Sequence, residues 1–296
     1  MRTVRYSISE QDAGRRVDDF LIRGHGISRR VITILKKLPD GLLCNGIHIR
    51  TIDLLSPGDL LELNLPEPSK RIPPCDLVVP VLYEDDDVLV YNKPAGMPVH
   101  QSGGHIHGTL DGVYAAHMLQ TTGSTASLRA INRLDKDTTG TVVVAKNQLA
   151  AGVLWKAVDK RYYAVVLGVP VPNEGTVDRP IAQELPMEQR RIVDPDGQRA
   201  ITHYSVLAAG NGASLVEFRL ETGRTHQIRV HMADLGYPLV GDLLYSSASE
   251  QIGRQALHCG RVSFLQPVTG QPLEIFAPWP EDFLKLLDHY NISVKL

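Results

Sequence analysis

Between residues 15 and 38 the apolar positions of the chain recur at helical spacing. Arg15 to Leu21 places Val17, Phe20 and Leu21 on one stripe. A second helix is predicted after Ser28, an N-cap residue, with Val31, Ile34, Leu35 and Leu38 at i, i+3, i+4 and i+7. Short strand-like pieces follow around Leu42-Leu43, Ile47–Ile49 and Leu60–Leu65, separated by the turn dipeptides Asn45-Gly46 and Pro57-Gly58. The stretch PEPSKRIPPCD, 66 to 76, has four prolines in eleven positions and is predicted to be an extended linker. Beyond it, DDVLVYNKP (86 to 94), GTVVVAK (140 to 146) and RYYAVVLG (161 to 168) read as strands with buried apolar runs. ASLVEFRLE (213 to 221) alternates, with Val216, Phe218 and Leu220 facing one way. A helix follows Thr222-Gly223, because Ile228, His231, Met232 and Leu235 form a stripe that stops at Gly236. Strands dominate without a regular βαβ rhythm, which predicts a mixed α+β sheet rather than a doubly wound parallel one.

The chain has 296 residues, enough for one large domain or two smaller ones, with 43% hydrophobic and 22% charged residues. No apolar run approaches the roughly 20 residues of a membrane-spanning helix. No secretory leader pattern opens it, and the three cysteines (Cys44, Cys75, Cys259) have neither a disulfide framework nor zinc spacing. A reducing cytoplasm is the expected location. The net charge of −2 argues mildly against a polyanionic partner, but Met1 to Lys37 carries nine Arg/Lys against four Asp/Glu. Arg29, Arg30, Lys36 and Lys37 share the polar face of the second helix. Glu84-Asp85-Asp86-Asp87 is an acidic block further on, so any polyanion is expected to be held locally.

Candidate chemistry concentrates in two stretches. In NRLDKDTTG, 132 to 140, Asp135 either carries chemistry or caps the turn ahead of Val142 to Val144. In ETGRTHQIRVHMADLGYP, 221 to 238, a helix starting near Thr225 puts Arg224, His226 and Arg229 at its first turn, where the macrodipole disfavours cations. Either Glu221 or Asp234 pairs locally with an arginine, or an arginine meets a buried carboxylate or an RNA phosphate. Tyr162 and Tyr163 follow Lys160-Arg161, and alternation sends one ring to each side, as core or as a base-stacking platform. Metal binding is not expected: His100, His105 and His107 have no adjacent carboxylate or cysteine, and His226 and His231 are five apart. No phosphate-binding loop, dinucleotide fingerprint or serine nucleophile elbow is present.

Taken in order, NKPAGMPVH (92 to 100), NRLDKDTTG, KRYYAVVLG (160 to 168) and TGRTHQIRVHMADLGYPLVGDLLY (222 to 245) resemble the RNA pseudouridine synthases of the RluA type. The tail RQALHCGRVSFLQPVTGQPLEIFAPWPEDF (254 to 283) is similar to that family's C-terminal strands, so the likeness spans roughly 80 to 285. RRVDDFLIRGHGISRRVITILKK and CNGIHIRTIDLLSPGDLLEL resemble the small RNA-binding domain of ribosomal protein S-four. The resemblance implies an α+β RNA-binding domain over 1–66, a Pro-rich linker over 67–79, and a mixed, largely antiparallel catalytic domain over 80–296. It implies that Asp135 is the catalytic aspartate, Tyr162 the uracil-stacking tyrosine and Arg229 the partner of the aspartate. Arg29, Arg30, Lys36, Lys37, Arg133, Arg224 and His226 are the expected RNA contacts. Asn132 stands where the family usually has His, and Thr139 where it usually has Ser.

The implied reaction detaches uracil from the sugar, turns it over and rejoins it through a ring carbon, which requires neither metal nor cofactor. Asp135 is suited to attack the anomeric carbon, to remove a sugar proton or to add to the base. Tyr162 can stack on the detached base, and its hydroxyl can help move the ring proton. Large-subunit ribosomal RNA is the expected substrate, with transfer RNA second, and a monomer is favoured. The rival readings are an RNA-binding protein without turnover, suggested by Asn132, and a base-releasing glycosidase.

Overall fold

The structure is a computed structural model that describes residues 2–66, 72–101, 107–185 and 188–294. Residues 67–71 of the predicted linker, and His105, lie outside the described residues. Strand β1 (Arg2–Ser7) turns Val4 and Tyr6 into a small core. The first helix begins at Val17, two residues later than its apolar stripe predicts: α1 (Val17–Asp19) widens into a π-helical turn over Phe20–Gly24. Arg15 and Arg16 stay extended because Arg15 and Leu55 share a backbone bond and Arg16 bridges Leu54. In α2 (Arg29–Leu35) the Ser28 hydroxyl accepts from Val31 N–H at 3.4 Å. That helix stops short of Leu38, since Pro39 cannot continue it and restricts the residue before it. Val31, Ile32 and Leu35 are its buried positions, so Ile32 rather than Ile34 completes the stripe. Strands β2 (Leu42–Cys44), β3 (Ile47–His48) and β4 (Leu60–Leu65) join β1 in an antiparallel sheet of order β1-β4-β2-β3.

The larger sheet is built from β5 (Val81–Glu84), β6 (Val88–Lys93), then α3 (Leu110–Thr122), β7 (Thr139–Ala145), α4 (Gln148–Leu154) and β8 (Asp159–Leu167). Next come β9 (Glu174–Asp178), the hairpin β10 (Ile181–Gln183) and β11 (Arg191–Val193), β12 (Ile201–Ala209), β13 (Ala213–Leu220) and α5 (Gln227–Asp234). Strands β14 (Leu257–Leu265) and β15 (Pro272–Phe276) precede α6 (Glu281–His289). The strand order is β5-β6-β7-β14-β8-β13-β12-β9, with β15 also on β14. Every described pair in this sheet is antiparallel except β7 with β14, which run parallel at His258↔Thr139 and Cys259↔Gly140. The fold is mixed α+β with a largely antiparallel sheet, as the element rhythm predicts.

Period-2 alternation along β8 feeds two cores. Tyr162, Ala164 and Val166 join the main core with Phe218 of β13, and with Ile228 and Met232 of α5. Val165 points the other way, toward Phe283, Leu286 and Leu287 of α6. The sheet is therefore covered on both faces, by α5 and by α6.

The acidic block does not form a solvated patch. Glu84 pairs with Lys146 at 2.8 Å, and Asp85 accepts the N–H groups of Asp87 and Val88 in its own turn. Buried Asp87 accepts from both Arg2 nitrogens (3.1 and 3.0 Å), Asn147 (2.7 Å) and Gln266 (3.3 Å). One carboxylate thus ties β1 to three segments of the larger sheet. Leu149 of α4 completes the small N-terminal core, in contact with residues of α1 and α2.

Gly140 marks a close backbone approach at positive φ. Its φ of +112° excludes ordinary side chains, and a Cβ there would fall on the Cys259 carbonyl across the β7–β14 junction. Gly140→Ala is therefore expected to lower the urea unfolding midpoint by the equivalent of at least about 3 kcal/mol, the sum of φ strain and overpacking. Gly236→Ala, also at positive φ but with open space around the added carbon, serves as the comparison and should cost only about 1–2 kcal/mol. Equal midpoints for the two variants would show that the junction tolerates the methyl group.

Candidate active site

Asp135 opens a turn that its own backbone closes, Thr138 N–H donating to the Asp135 carbonyl at 3.1 Å. The approach to this turn is strapped to β7 by buried Asn132. Its amide donates to Thr141 O at 3.0 Å and accepts from Val143 N–H at 2.9 Å. An uncharged amide satisfies both bonds, so position 132 has a complete structural role without a titratable group. The far side of the turn is held by Lys93, whose Nζ donates to the carbonyls of Pro94, Met97 and Lys136 at 2.8, 2.8 and 2.9 Å. Burial pushes the Lys93 ammonium down to about 7, with Asp137 and Asp135 opposing. Three carbonyl acceptors need three N–H donors, which only the charged amine has. It is the Asp137 carboxylate that bonds local backbone, accepting from Gly96 N–H at 3.1 Å. The Asp135 carboxylate is left to face α5.

What it faces is Arg229. The guanidinium donates Nη1–H to Asp135 Oδ2 at 3.1 Å, and forks onto Asp242 through Nε and Nη2 at 2.6 and 2.7 Å. It also lies over the Tyr245 ring, 5.2 Å from the centroid. Burial alone would lower the Arg229 guanidinium, and its pairing with Asp242 and Asp135 overrides that and raises it. Arg229 and Asp242 are buried, whereas the Asp135 side chain keeps 27% of its surface open. A bidentate partner thus fixes the arginine and leaves Nη1 for a reachable carboxylate.

Local bonding explains why α5 begins where it does. His226, at φ 58°, ends the preceding loop. Gln227 accepts from Thr222 Oγ1 and Arg224 N–H at 2.9 Å each and donates to Ile201 O and Thr202 Oγ1 at 2.9 and 3.0 Å. Burial holds the His226 imidazole below its ordinary value, with the Asp135 charge opposing. The Tyr245 phenol oxygen accepts from Arg191 N–H at 2.8 Å and is 3.0 Å from His226 Nδ1. Nε2 is 3.8 Å from Asp135 Oδ2. The local alternative for the arginines does not hold: Glu221 pairs with His203 and Asp234 with Arg179. Arg224 turns outward, onto Arg199 O and Gln198 Oε1.

Tyr162 sits opposite Cys259 in the β8–β14 register, one strand from Gly140. It is 7% exposed and packed into the main core. Burial lifts its phenol well above the ordinary value, with the Cys259 thiol and the Asp135 charge adding to the effect. Tyr163 faces the other side of the sheet, 5.7 Å from the Trp279 ring. Arg133 is exposed beside Asn132, without a side-chain partner among the described residues. The basic residues of α2 belong to the N-terminal unit and do not join this cluster. His100 pairs with Asp111 at 3.0 Å. Sequence reasoning missed Lys93, Asp242 and Tyr245. Lys93 terminates the apolar run of β6, a position where an unpaired ammonium would be costly, and that was its only signal.

Residues 87–234 match the RNA pseudouridylate synthase family. An uncharacterized RNA pseudouridine synthase of Bacillus subtilis, YjbO, is 41% identical over 90% of this chain and 96% of its own length. The ribosomal large subunit pseudouridine synthase D of Xanthomonas campestris is 39% identical over 95% of this chain and 90% of its own. Among solved structures, the human RNA pseudouridylate synthase domain containing 4 superposes with a TM-score of 0.61 at 27% identity, over 72% of this chain and 94% of that one. On the family match and the two relatives' identity over nearly the full length, the chain belongs to the RNA pseudouridylate synthase family and is an isomerase of RNA uridines.

Proposed function

We propose that this protein isomerises uridines of large-subunit ribosomal RNA, with Asp135 as the catalytic carboxylate, Arg229 as its fixed counter-charge and Tyr162 as the support for the detached base. The observation that carries the reading is the asymmetry of the arginine. Asp242 is sealed and bidentate, whereas Asp135 holds one bond and faces the open side. The reaction breaks the bond from N1 to the anomeric carbon and forms one from C5 to that carbon, while N1 gains a proton and C5 loses one. A carboxylate can attack the anomeric carbon, take a sugar proton or add to the base, and each route uses the same reachable oxygen. Arg229 offsets the desolvation of that carboxylate when a flipped uridine closes the pocket.

Tyr162 serves as a support rather than a base. A phenol held well above its ordinary value is protonated at neutral pH, so it cannot accept the C5 proton. At 7% exposure only a small part of the residue is open to contact with uracil. The ribosomal target is supported by relatives in Xanthomonas campestris and Zymomonas mobilis named for the large ribosomal subunit. Residues 1–66 act as the RNA-binding unit. Arg29 and Arg30 at the start of α2 and Lys36 and Lys37 just past its end are exposed and have no ion pair among the described residues, whereas Arg5, Arg15, Arg16, Arg23 and Arg50 all pair with acids. Free cations around one helix suit a phosphate backbone. The functional test compares pseudouridine maps of ribosomal RNA from cells with and without the gene, and an identical pattern would exclude this target.

Asp135→Asn should keep the fold and lower turnover by at least about a thousandfold, the scale of a lost reacting carboxylate. Asp137→Asn retains its acceptor for Gly96 N–H and should stay within about tenfold. Tritium release from RNA labelled at uridine C5 measures both, and parental rates in Asp135→Asn would remove it from the mechanism. In the same assay Tyr162→Phe should release tritium within about tenfold of the parent, because the ring is kept, whereas Tyr162→Ala should bind RNA roughly ten times more weakly or worse. Parental affinity in Tyr162→Ala would return this residue to the core alone. Changing Arg29, Arg30, Lys36 and Lys37 to Gln should flatten the slope of log K against log salt by about 0.7–0.9 for each phosphate that is no longer neutralised. Substitution is the informative route, since deleting residues 1–66 would also uncover Leu149 and strip Asp87 of Arg2. An unaltered slope would place the RNA elsewhere.

A further inference from the structure

Helix α4 ends in a corner that has no structural explanation. Ala157 N–H donates to Leu154 O at 3.0 Å, with Trp155 at φ −57°, ψ 115° and Lys156 at φ 64°. These are the angles of a type II turn, whose third position favours glycine or asparagine. A lysine is held there against that preference. Trp155 is 65% exposed, and neither its ring nor its indole N–H has a partner among the described residues. The other tryptophan of the chain, Trp279, packs between Tyr163 and Phe283.

The corner borders α2. A Cβ on Gly152 would sit 3.6 Å from Ser28, the N-cap of α2, so Arg29 and Arg30 begin beside the last turn of α4. Trp155 lies three positions after Gly152, at the C-cap of the same helix. An open indole and a lysine thus follow the segment of α4 that abuts the start of α2, where two arginines without ion pairs among the described residues begin a helix with no acidic residue in its first turn. An exposed aromatic ring among cations is the combination that holds single-stranded nucleic acid, the ring stacking on a base and the cations meeting phosphates. From Trp155 the chain runs seven residues to Tyr162, at most about 25 Å, so RNA anchored at the corner is within a few nucleotides of the site.

We propose that Trp155 and Lys156, with Arg29 and Arg30, form a second RNA contact that stacks an unpaired base flanking the target uridine and holds its phosphates. The inference rests on the reading of α2 as a phosphate-binding face. In the full-length protein, adding a twelve-residue oligouridylate should quench tryptophan fluorescence, and Trp155→Phe should remove most of the quenching. Trp155→Ala should weaken binding of the oligouridylate about tenfold or more. Lys156→Gly should melt no lower than the parent yet bind more weakly, with a salt slope flatter by about 0.7, the single-strand value. Unchanged affinity in both Trp155→Ala and Lys156→Gly would overturn the proposal. So would loss of a self-associated species in Trp155→Ala with RNA affinity intact, which would make the corner a protein contact. A parent that binds and quenches but releases no tritium from C5-labelled RNA would fault the reading of the active site and leave this surface standing.

Discussion

The buried guanidinium of Arg229 is the interaction on which the site depends. A cation taken out of water needs compensation, and two carboxylates from distant parts of the chain supply it: Asp242 at 2.6 and 2.7 Å and Asp135 at 3.1 Å. Breaking such a buried arrangement by removing one partner typically costs about 3–5 kcal/mol, because the remaining charge is left unpaired. Asp242, Tyr245 and the start of α5 can be understood as the housing of this one charge. Their joint effect is that a single N–H points toward the turn before β7, and the position of Asp135 is set by it. The neutral imidazole of His226 sits on the same side without adding a second charge.

The turn itself is held by groups that do no chemistry. Lys93, Asn132 and Gly96 bind backbone atoms or the carboxylate of Asp137, and so leave the carboxylate of Asp135 to Arg229. That separation resolves the ambiguity of two aspartates two residues apart. The one that caps local backbone is Asp137, and the one whose backbone closes the turn has its side chain free for a long-range partner. Each holding group is itself buried or strapped to a strand, which is what gives a loop residue a fixed direction.

Much of this is legible in the order of residues alone. Helical and alternating periods locate α2, β6, β7, β8 and β13. The cations at the start of α5 call for a buried anion, and one is there. The choice of anion is not legible, because Asp242 follows Arg229 by thirteen positions and Asp135 precedes it by ninety-four, and spacing carries no information across a turn or a sheet. Lys93 is hidden for a related reason: its partners are three carbonyl oxygens, which every residue possesses. Alternation puts Tyr162 and Tyr163 on opposite faces, but both faces of this sheet are covered, so the pattern cannot say which ring neighbours the site. The acidic block shows the limit of counting charges, since its last member is among the most buried carboxylates of the chain.

The position of β14 has a consequence for how the molecule comes into being. This strand lies between β7 and β8, yet it follows them in the chain by some ninety residues or more, and its bonds to Thr139 and Thr141 span 118 or 119 positions. A chain emerging from synthesis therefore forms β5 to β7 and β8 to β13 as two sheets, each with an open edge, and must keep a slot between them for a strand not yet made. Asp135 leads into one side of the slot and Tyr162 stands on the other. Until β14 arrives the two residues belong to separate bodies, so the proposed site is not assembled in the nascent chain. Its unpaired edges, closed only by the penultimate strand, are exposed to competing partners for most of its assembly.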